Sequence, residues 1–480
     1  MTVVANQLEP VTLRVIHSSQ ALTATAVTLQ LDKVLRLLPQ RREVYAGQLA
    51  GFKRAVVAKR FLCHPRQLRD WRREWRGLIK LTKLGLSAPT PLCVAQEQDG
   101  AAVWVIMDRI DAAVSVQDVC LNGASEERME LIQQLAKLVD AAHRVGVRQG
   151  DQHVDNWGWD GVRLYLLDAG SIQFSGSALQ ARARLLDLAG ICVTLDPAAE
   201  RAFREAIQTE YLLDDVHLKD RLLYHLEEAI GALQKKRTQR YFNKTRRCCS
   251  EFVRVENAAY RALYLRHTTP GLIDSLLADP DALMVNGERL KSGNTCTVQG
   301  ISYGGQDYVL KRYNQKALLY RLRHVCSDSR ALTSWSAAWL LEMAFIPTAR
   351  MVAVYEDRRR YLPGLCYLLM ERIKGQLLPD YIESCAEDSA RIQALADAFA
   401  QIWASLARLR AVHGDLKATN LIVGEDGRLS LLDLDVFRFG LGARAFERGR
   451  SRDRQRFMKN WVERPELIQL FEARMREWPT

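Results

Sequence analysis

The sequence predicts an α+β protein of two similar domains in tandem, each a small β-rich lobe followed by a helical lobe, joined by a helical segment. Three observations predict it. Four short motifs recur in the same order in the two halves of the 480 residues. In each half a β-rich run carrying a lysine leads into an amphipathic helix. In each half, too, an Asp five residues ahead of an Asn is followed, about a dozen residues on, by a second Asp that closes an apolar run.

The motifs come in this order. Ala55-Val-Val-Ala-Lys59 and Tyr308-Val-Leu-Lys311 read as strands ending at a lysine. Val105-Ile-Met-Asp-Arg-Ile110 recurs as Leu368-Leu-Met-Glu-Arg-Ile373. Gln149-Gly-Asp151 recurs as His413-Gly-Asp415, and Leu166-Leu-Asp168 as Leu431-Leu-Asp433. Asp108 lies 43 residues before Asp151, and Glu371 lies 44 before Asp415.

Helices fill the intervals. The spacing predicts one over about 68–84 and its counterpart over about 331–343, each running into a proline-containing turn. Longer ones are expected over about 126–144 and 389–409. Their apolar stripes, Leu131, Ile132, Leu135, Leu138, Val139 and Ala142 in one and Ile392, Leu395, Phe399, Ile402, Trp403 and Leu406 in the other, are core faces. Residues 177–249 lack Gly, Ser and Pro enrichment and read as a helical connection. The expected domains are therefore 1–176 and 250–480, with the second starting near Ser250 or near Asn286.

Composition places the chain among soluble globular proteins: 48% hydrophobic, 26% charged. No apolar run is long enough to span a membrane, and MTVVANQLEP has no secretory character. A cytoplasmic protein, with peripheral contact at an inner membrane, is the expectation. Ten cysteines without a CxxC pair indicate reduced thiols, not a disulfide framework or zinc site. The net charge of +12 calls for an anionic partner. It is concentrated in two runs, Lys235, Lys236, Arg237, Arg240, Lys244, Arg246 and Arg247, then Arg444, Arg448, Arg450, Arg452, Arg454, Arg456 and Lys459. Each is either a solvated helix face or a contact with an anionic membrane surface. No nucleic-acid recognition motif accompanies them.

The chemistry lies in His413-Gly-Asp415-Leu-Lys417-Ala-Thr-Asn420 and Leu431-Leu-Asp433-Leu-Asp435. Asp415 can orient an acceptor hydroxyl and take its proton. Asn420 and Asp433 offer hard oxygens to Mg2+ on ATP phosphates. Lys417 stands near the transferring phosphate, and Lys311 reaches the nucleotide. The first half offers Asp151, Asn156 and Asp168 in the same order, with Lys59 for the phosphates and Glu74 to pair with it. Aligning Trp75 with Trp335 puts Ser334 where Glu74 stands, so the second half lacks the matching acid. His413 reads as a structural residue. Neither half has an intact glycine-rich phosphate loop. Lys291-Ser-Gly-Asn-Thr295 and Gly47 to Gly51 are the nearest candidates, and either is equally a hairpin turn.

This set is that of a protein-kinase-like phosphotransferase. The HGDLKATN segment with LLDLD, and Ser329 to Trp335 leading into Phe345-Ile-Pro-Thr348, resembles the bacterial lipopolysaccharide kinase family, the Kdo/WaaP and InaA-like group. The resemblance is specific over about 307–439 and looser in the first half. It implies a kinase-like fold, ATP and Mg2+ as cofactors, and a lipopolysaccharide inner-core sugar as acceptor. Lys311, Asp415, Asn420 and Asp433 would inherit the family roles. Two other readings stay open: a tandem of inactive kinase-like domains acting as a scaffold in envelope biosynthesis, and a protein or small-molecule kinase.

Overall fold

The computed structural model describes residues 9–19, 22, 24–38, 42–51, 54–62, 68–110, 114–211, 216–269, 271–285, 287–293, 295–314, 328–358 and 364–478. Residues 1–8, Asn286 and Asn294, on which expectations above bear, lie outside them. Contacts divide the chain into two compact units, Met1–Leu233 and Gln234–Thr480.

The first unit opens with a closed antiparallel barrel of β1 (Val11–Ser18), β2 (Ala26–Leu38), β3 (Arg42–Leu49), β4 (Arg54–Leu62), β5 (Pro91–Gln96) and β6 (Ala102–Asp108), in the order β1-β2-β3-β4-β6-β5. Helix α1 (Leu68–Lys83) links β4 to β5. Strand residues alternate faces, and this decides where Lys59 points. Val56, Ala58, Trp104 and Ile106 fill the barrel with Leu13, Leu29 and Leu49. Phe61, Val105 and Met107, with Val57 beside them, join a second core under α1. Lys59 shares that second face. It sits inside β4, which continues to Leu62, and not at the strand end as expected.

The helical lobe of this unit holds α2 (Val116–Asn122), α3 (Ser125–Arg144), α4 (Ala181–Cys192), α5 (Pro197–Glu210) and α6 (Val216–Lys244). Short strands β7 (Val114–Ser115), β8 (Val147–Gln149), β9 (Trp157–Trp159), β10 (Leu164–Leu166) and β11 (Ile172–Phe174) frame the Asp151 and Asp168 loops. Leu131, Ile132, Leu135, Val139 and Ala142 of α3 are buried, and Leu138 is half-buried. Leu188, Ile191, Phe203, Ile207, Tyr211, Leu222 and Leu226 belong to the same core. Much of the expected connection thus packs into the first unit, and the unit boundary falls within α6.

The second unit is built on an open seven-stranded sheet. Its strands are β12 (Phe252–Glu256), β13 (Tyr260–Leu265), β14 (Glu288–Ser292), β15 (Cys296–Tyr303), β16 (Gln306–Tyr313), β17 (Met351–Asp357) and β18 (Cys366–Glu371), in the order β12-β13-β17-β18-β16-β15-β14. β12 and β13 belong to this sheet. Helices α7 (Leu272–Ala278) and α8 (Pro280–Val285) stand between β13 and β14 in the chain. They cover the face that β1 and β2 close over in the first unit: Leu272, Ile273, Leu276 and Met284 pack with Tyr308, Leu310, Tyr367 and Leu369.

The rest comprises α9 (Arg330–Met343), β19 (Gly375–Leu377), α10 (Leu378–Ser384), α11 (Ser389–Arg408), β20 (Leu421–Gly424), β21 (Leu429–Leu431), α12 (Ala443–Met458) and α13 (Pro465–Arg476). Ile392, Leu395, Phe399, Ile402, Trp403 and Leu406 of α11 are all buried. Tyr313 and Leu368 face that core, on the same side as Lys311, which like Lys59 lies inside its strand.

The registers match. Lys59 stands opposite Val44 and Val105, and Lys311 opposite Val298 and Leu368. The same match relocates one phosphate-loop candidate. Residues 293–295 join β14 to β15, one strand before the lysine strand's partner hairpin. Their counterpart is the β2–β3 connection at 39–41, which lies outside the described residues. Gly47 instead sits within β3, where a Cβ would come 2.3 Å from the Gln30 carbonyl, and Gly51 turns the next hairpin.

Candidate active site

In the first unit three elements converge on Lys59. Glu74 projects from α1, and its Oε1 takes the Lys59 ammonium at 2.5 Å. Its Oε2 accepts the Gly170 amide at 3.1 Å, and the Leu167 carbonyl accepts from Lys59 at 3.2 Å. The approach of α1 depends on Gly77, one turn beyond Glu74, where a Cβ would lie 2.3 Å from the Ala169 carbonyl oxygen. Asp168 Oδ1 is 3.8 Å from Lys59 and 4.0 Å from Arg42 at the start of β3. Burial pushes the Asp168 carboxyl up, but Lys59 and Arg42 outweigh it and hold it below its usual range. Burial pushes Glu74 above its usual range despite Lys59.

Asn156 ends a short 3-10 turn, and its Nδ2 donates to the Asp151 carbonyl at 2.8 Å. Its own carbonyl accepts the Leu167 amide at 2.8 Å, which ties the Asp151 loop to the Asp168 segment. Asp151 is exposed, and its carboxylate makes no ion pair among the described residues.

The second unit repeats these bonds. Asn420 Nδ2 donates to the Asp415 carbonyl at 2.8 Å, and the Leu432 amide donates to the Asn420 carbonyl at 2.8 Å. Here the Asp415 carboxylate is engaged: by Arg456 at 2.7 Å, Asn420 at 3.3 Å and Lys417 at 3.5 Å. Lys311 meets Asp433 at 2.6 Å. Asp433 has φ +59, a left-handed backbone that a non-glycine residue seldom takes, whereas Asp168 has φ −110. Burial pushes Asp433 up, but Lys311 brings it below its usual range.

The acid missing from α9 is supplied from elsewhere. Asp435, almost fully buried, holds Lys311 with both oxygens at 3.0 Å. Glu342, further along α9, is not among the partners of Lys311. Burial pulls the Lys311 ammonium down, but Asp435 and Asp433 carry it above its usual range.

Each loop is held from below. Asp453 on α12 accepts the backbone amides of His413 at 2.7 Å and Gly414 at 3.0 Å, and burial raises its carboxyl. His413 is fully buried, with Nε2 on the Leu432 carbonyl at 2.9 Å, and burial lowers its pKa. In the first unit the tether is a side chain: Gln152 Nε2 donates to Asp187 on α4 at 2.8 Å, and Asp187 also contacts buried His143 at 3.0 Å. Asp453→Ala is expected to destabilise the second unit by about 1–3 kcal/mol, the cost of stranding buried donors, and to speed amide exchange at His413 and Gly414. Unchanged exchange at both would mean that Asp453 does not hold the loop.

The residues present fit a nucleotide-bound Mg2+. Asp168 Oδ1 is buried without a hydrogen-bond partner. Among the described residues no group of three or more His, Cys, Asp or Glu could hold a metal alone. A magnesium ion carried on phosphates needs only one or two protein oxygens.

All ten residues singled out in the sequence are placed in these two constellations. Sequence reasoning missed Arg42, Asp187, Asp435, Asp453 and Arg456. Asp435 was in view as the second acid of LLDLD, Arg456 was read only as part of an arginine run, and Asp453, the acid inside that run, was not read at all. That run is divided in use: Arg454 pairs with Glu472, while Arg444, Arg448 and Arg452 are exposed, one turn apart, without carboxylate partners among the described residues. In the earlier run Lys244 pairs with Glu251 and Arg246 with Asp328. No described helix is long and apolar enough to cross a membrane, and Cys93, Cys120, Cys192, Cys248, Cys249, Cys296, Cys366 and Cys385 are free thiols.

No curated protein matches the chain. The family comparison falls on the first unit, where the sequence resemblance is the looser of the two: residues 40–169, from the start of β3 through Lys59, Glu74, Asp151, Asn156 and Asp168, match the Lipopolysaccharide kinase (Kdo/WaaP) family.

Proposed function

We propose that this chain is an ATP- and Mg2+-dependent phosphotransferase of two kinase-like units in tandem, acting on a sugar hydroxyl of the lipopolysaccharide inner core. The observation that carries the reading is a buried lysine held beside a carboxylate, next to an Asp–Asn loop, in both units. The family match over 40–169 supports the acceptor class.

Lys59 and Lys311 bind the α- and β-phosphates. Asn156 with Asp168, and Asn420 with Asp433, would hold the metal, whose contribution when bound would be to neutralise charge on the phosphates. Asp151 or Asp415 orients the acceptor hydroxyl and takes its proton as the new O–P bond forms and the bond to the β-phosphate oxygen breaks. Lys417 and Arg456 lie beside Asp415, where an incoming phosphoryl group gains from positive charge. The exposed stripe of Arg444, Arg448 and Arg452 favours an anionic glycolipid and an anionic membrane surface as partners. The scaffold alternative draws on the missing acid at position 334 and on the absence of an intact glycine-rich loop; the Asp435 carboxylate beside Lys311 weighs against the first of these grounds.

A thermal-shift titration with Mg-ATP tests this. At a hundred times the dissociation constant, a ligand of the folded state adds about 2.7 kcal/mol, which raises the melting temperature of a unit this size by roughly 5–10 °C. Asp168→Asn should remove the shift of the first unit and Asp433→Asn that of the second. The wild type failing to shift at millimolar Mg-ATP would leave the scaffold reading in possession.

A further inference from the structure

The two units solve one electrostatic problem in opposite ways. A lysine buried under a sheet needs a carboxylate, because a desolvated ammonium without one is costly. In the first unit the helix supplies it: Glu74 occupies the pocket and position 170 is glycine. A Cβ on Gly170 would lie 2.7 Å from Glu74 Oε2, so the pocket has no room for a second side chain. In the second unit the helix position is Ser334, small and buried, and the residue matching Gly170 is Asp435.

Asp435 fills the vacated space and collects the donors around it. Its Oδ1 accepts from Tyr313 at 2.5 Å and from Ser334 at 3.0 Å, and its Oδ2 accepts from Arg330 at 2.5 Å. Both oxygens also face Lys311. Each pocket thereby holds two cations and two carboxylates: Lys59, Arg42, Glu74 and Asp168 in one, Lys311, Arg330, Asp433 and Asp435 in the other.

We infer that Asp435 is the positioning residue for Lys311, so that the second unit keeps the lysine-holding carboxylate but carries it two residues after Asp433 instead of on the helix. The inference rests on reading Lys311 as the nucleotide lysine. It has a regulatory consequence. In the first unit the lysine pair is complete only while α1 is docked, since Glu74 rides on α1. In the second, the lysine's carboxylates share one short segment, and α9 contributes donors in place of the acid. Displacing α9 therefore leaves Lys311 paired.

The test is acylation of lysines in the full chain by an amine-selective reagent, read by mass spectrometry. Asp435→Gly should raise labelling of Lys311 roughly tenfold or more, as expected for losing charge-assisted hydrogen bonds to a buried ammonium. The exchange variant Ser334→Glu/Asp435→Gly should restore protection. The reciprocal pair should behave alike at Lys59: Glu74→Ser exposes it, and Glu74→Ser/Gly170→Asp protects it again. Should Asp435→Gly fail to fold, the exchange variant decides: a protected Lys311 supports the inference and a labelled one overturns it. Unchanged labelling of Lys311 in a folded Asp435→Gly also overturns it. Added Mg-ATP separates the two readings. Labelling that follows the carboxylate but is never slowed by Mg-ATP leaves Asp435 as the positioning residue and removes the phosphotransferase assignment.

Discussion

Replacing Asp415 by asparagine is expected to lower phosphoryl transfer by the second unit about 10²–10⁴-fold, the usual worth of a positioned proton acceptor, while Mg-ATP binding persists. The asparagine keeps the size of the side chain and a carbonyl oxygen for Arg456, and Asn420 keeps its bond to the backbone carbonyl of residue 415, so the loop around it has no reason to collapse. It cannot take the acceptor proton. Asp151→Asn makes the matched change in the first unit, where the carboxylate is exposed and has no ion pair among the described residues. Asp415 is held by three side chains and its loop by Asp453, and preorganisation of this kind is what a catalytic carboxylate needs. The larger loss is therefore expected at Asp415. Transfer to a dephosphorylated lipopolysaccharide core, measured for each variant and for the double variant, checks this. Undiminished transfer in the double variant would mean that neither carboxylate takes the proton.

What could be read from the sequence was what short spacing encodes. The Asp–Asn interval places both groups on one tight turn, and the apolar run before Asp168 or Asp433 marks a segment beneath the sheet. Glu74 was legible because it lies on an amphipathic helix at a fixed distance from a strand lysine. Asp435 was not, because its partners lie 122 and 124 residues away and its role depends on the size of Ser334. Asp453 was hidden for a related reason: the donors to its carboxylate are backbone amides, which leave no trace in residue type. The sheets diverge on equally distant pairings. Val11 to Arg14 pair with residues 26–29 and close the barrel, whereas α7 and α8 cover the corresponding face of the second unit. Nothing in strand periodicity distinguishes these outcomes. Gly47 looked like part of a loop because glycine usually marks a turn, but here close approach of β2 requires it.

The second large effect is on stability. Glu74→Ala is expected to cost the first unit about 3–5 kcal/mol, the cost of leaving one member of a buried ion pair alone. Glu74 is 1% exposed and the Lys59 side chain 9%, so water reaches neither readily. After the change Lys59 keeps, among the described residues, the Leu167 carbonyl and the more distant Asp168, and the Gly170 amide loses its Glu74 acceptor. Glu74→Gln should cost less, since it preserves shape and the bond from Gly170 while giving up charge. Domains are stable by about 5–15 kcal/mol in all, so the alanine variant should bring the first unit's denaturant midpoint close to native conditions. Resolved unfolding transitions for the two units provide the measurement. A variant whose first transition moves by less than 1 kcal/mol (roughly the value of an exposed pair) would mean that Lys59 finds other partners once Glu74 is gone. The contrast with Ser334→Ala makes the same point from the other side. It removes one of several donors to Asp435 and leaves Lys311 paired, so it should cost only about 1 kcal/mol. At the same helix position, then, the first unit depends on a charge and the second on the absence of bulk.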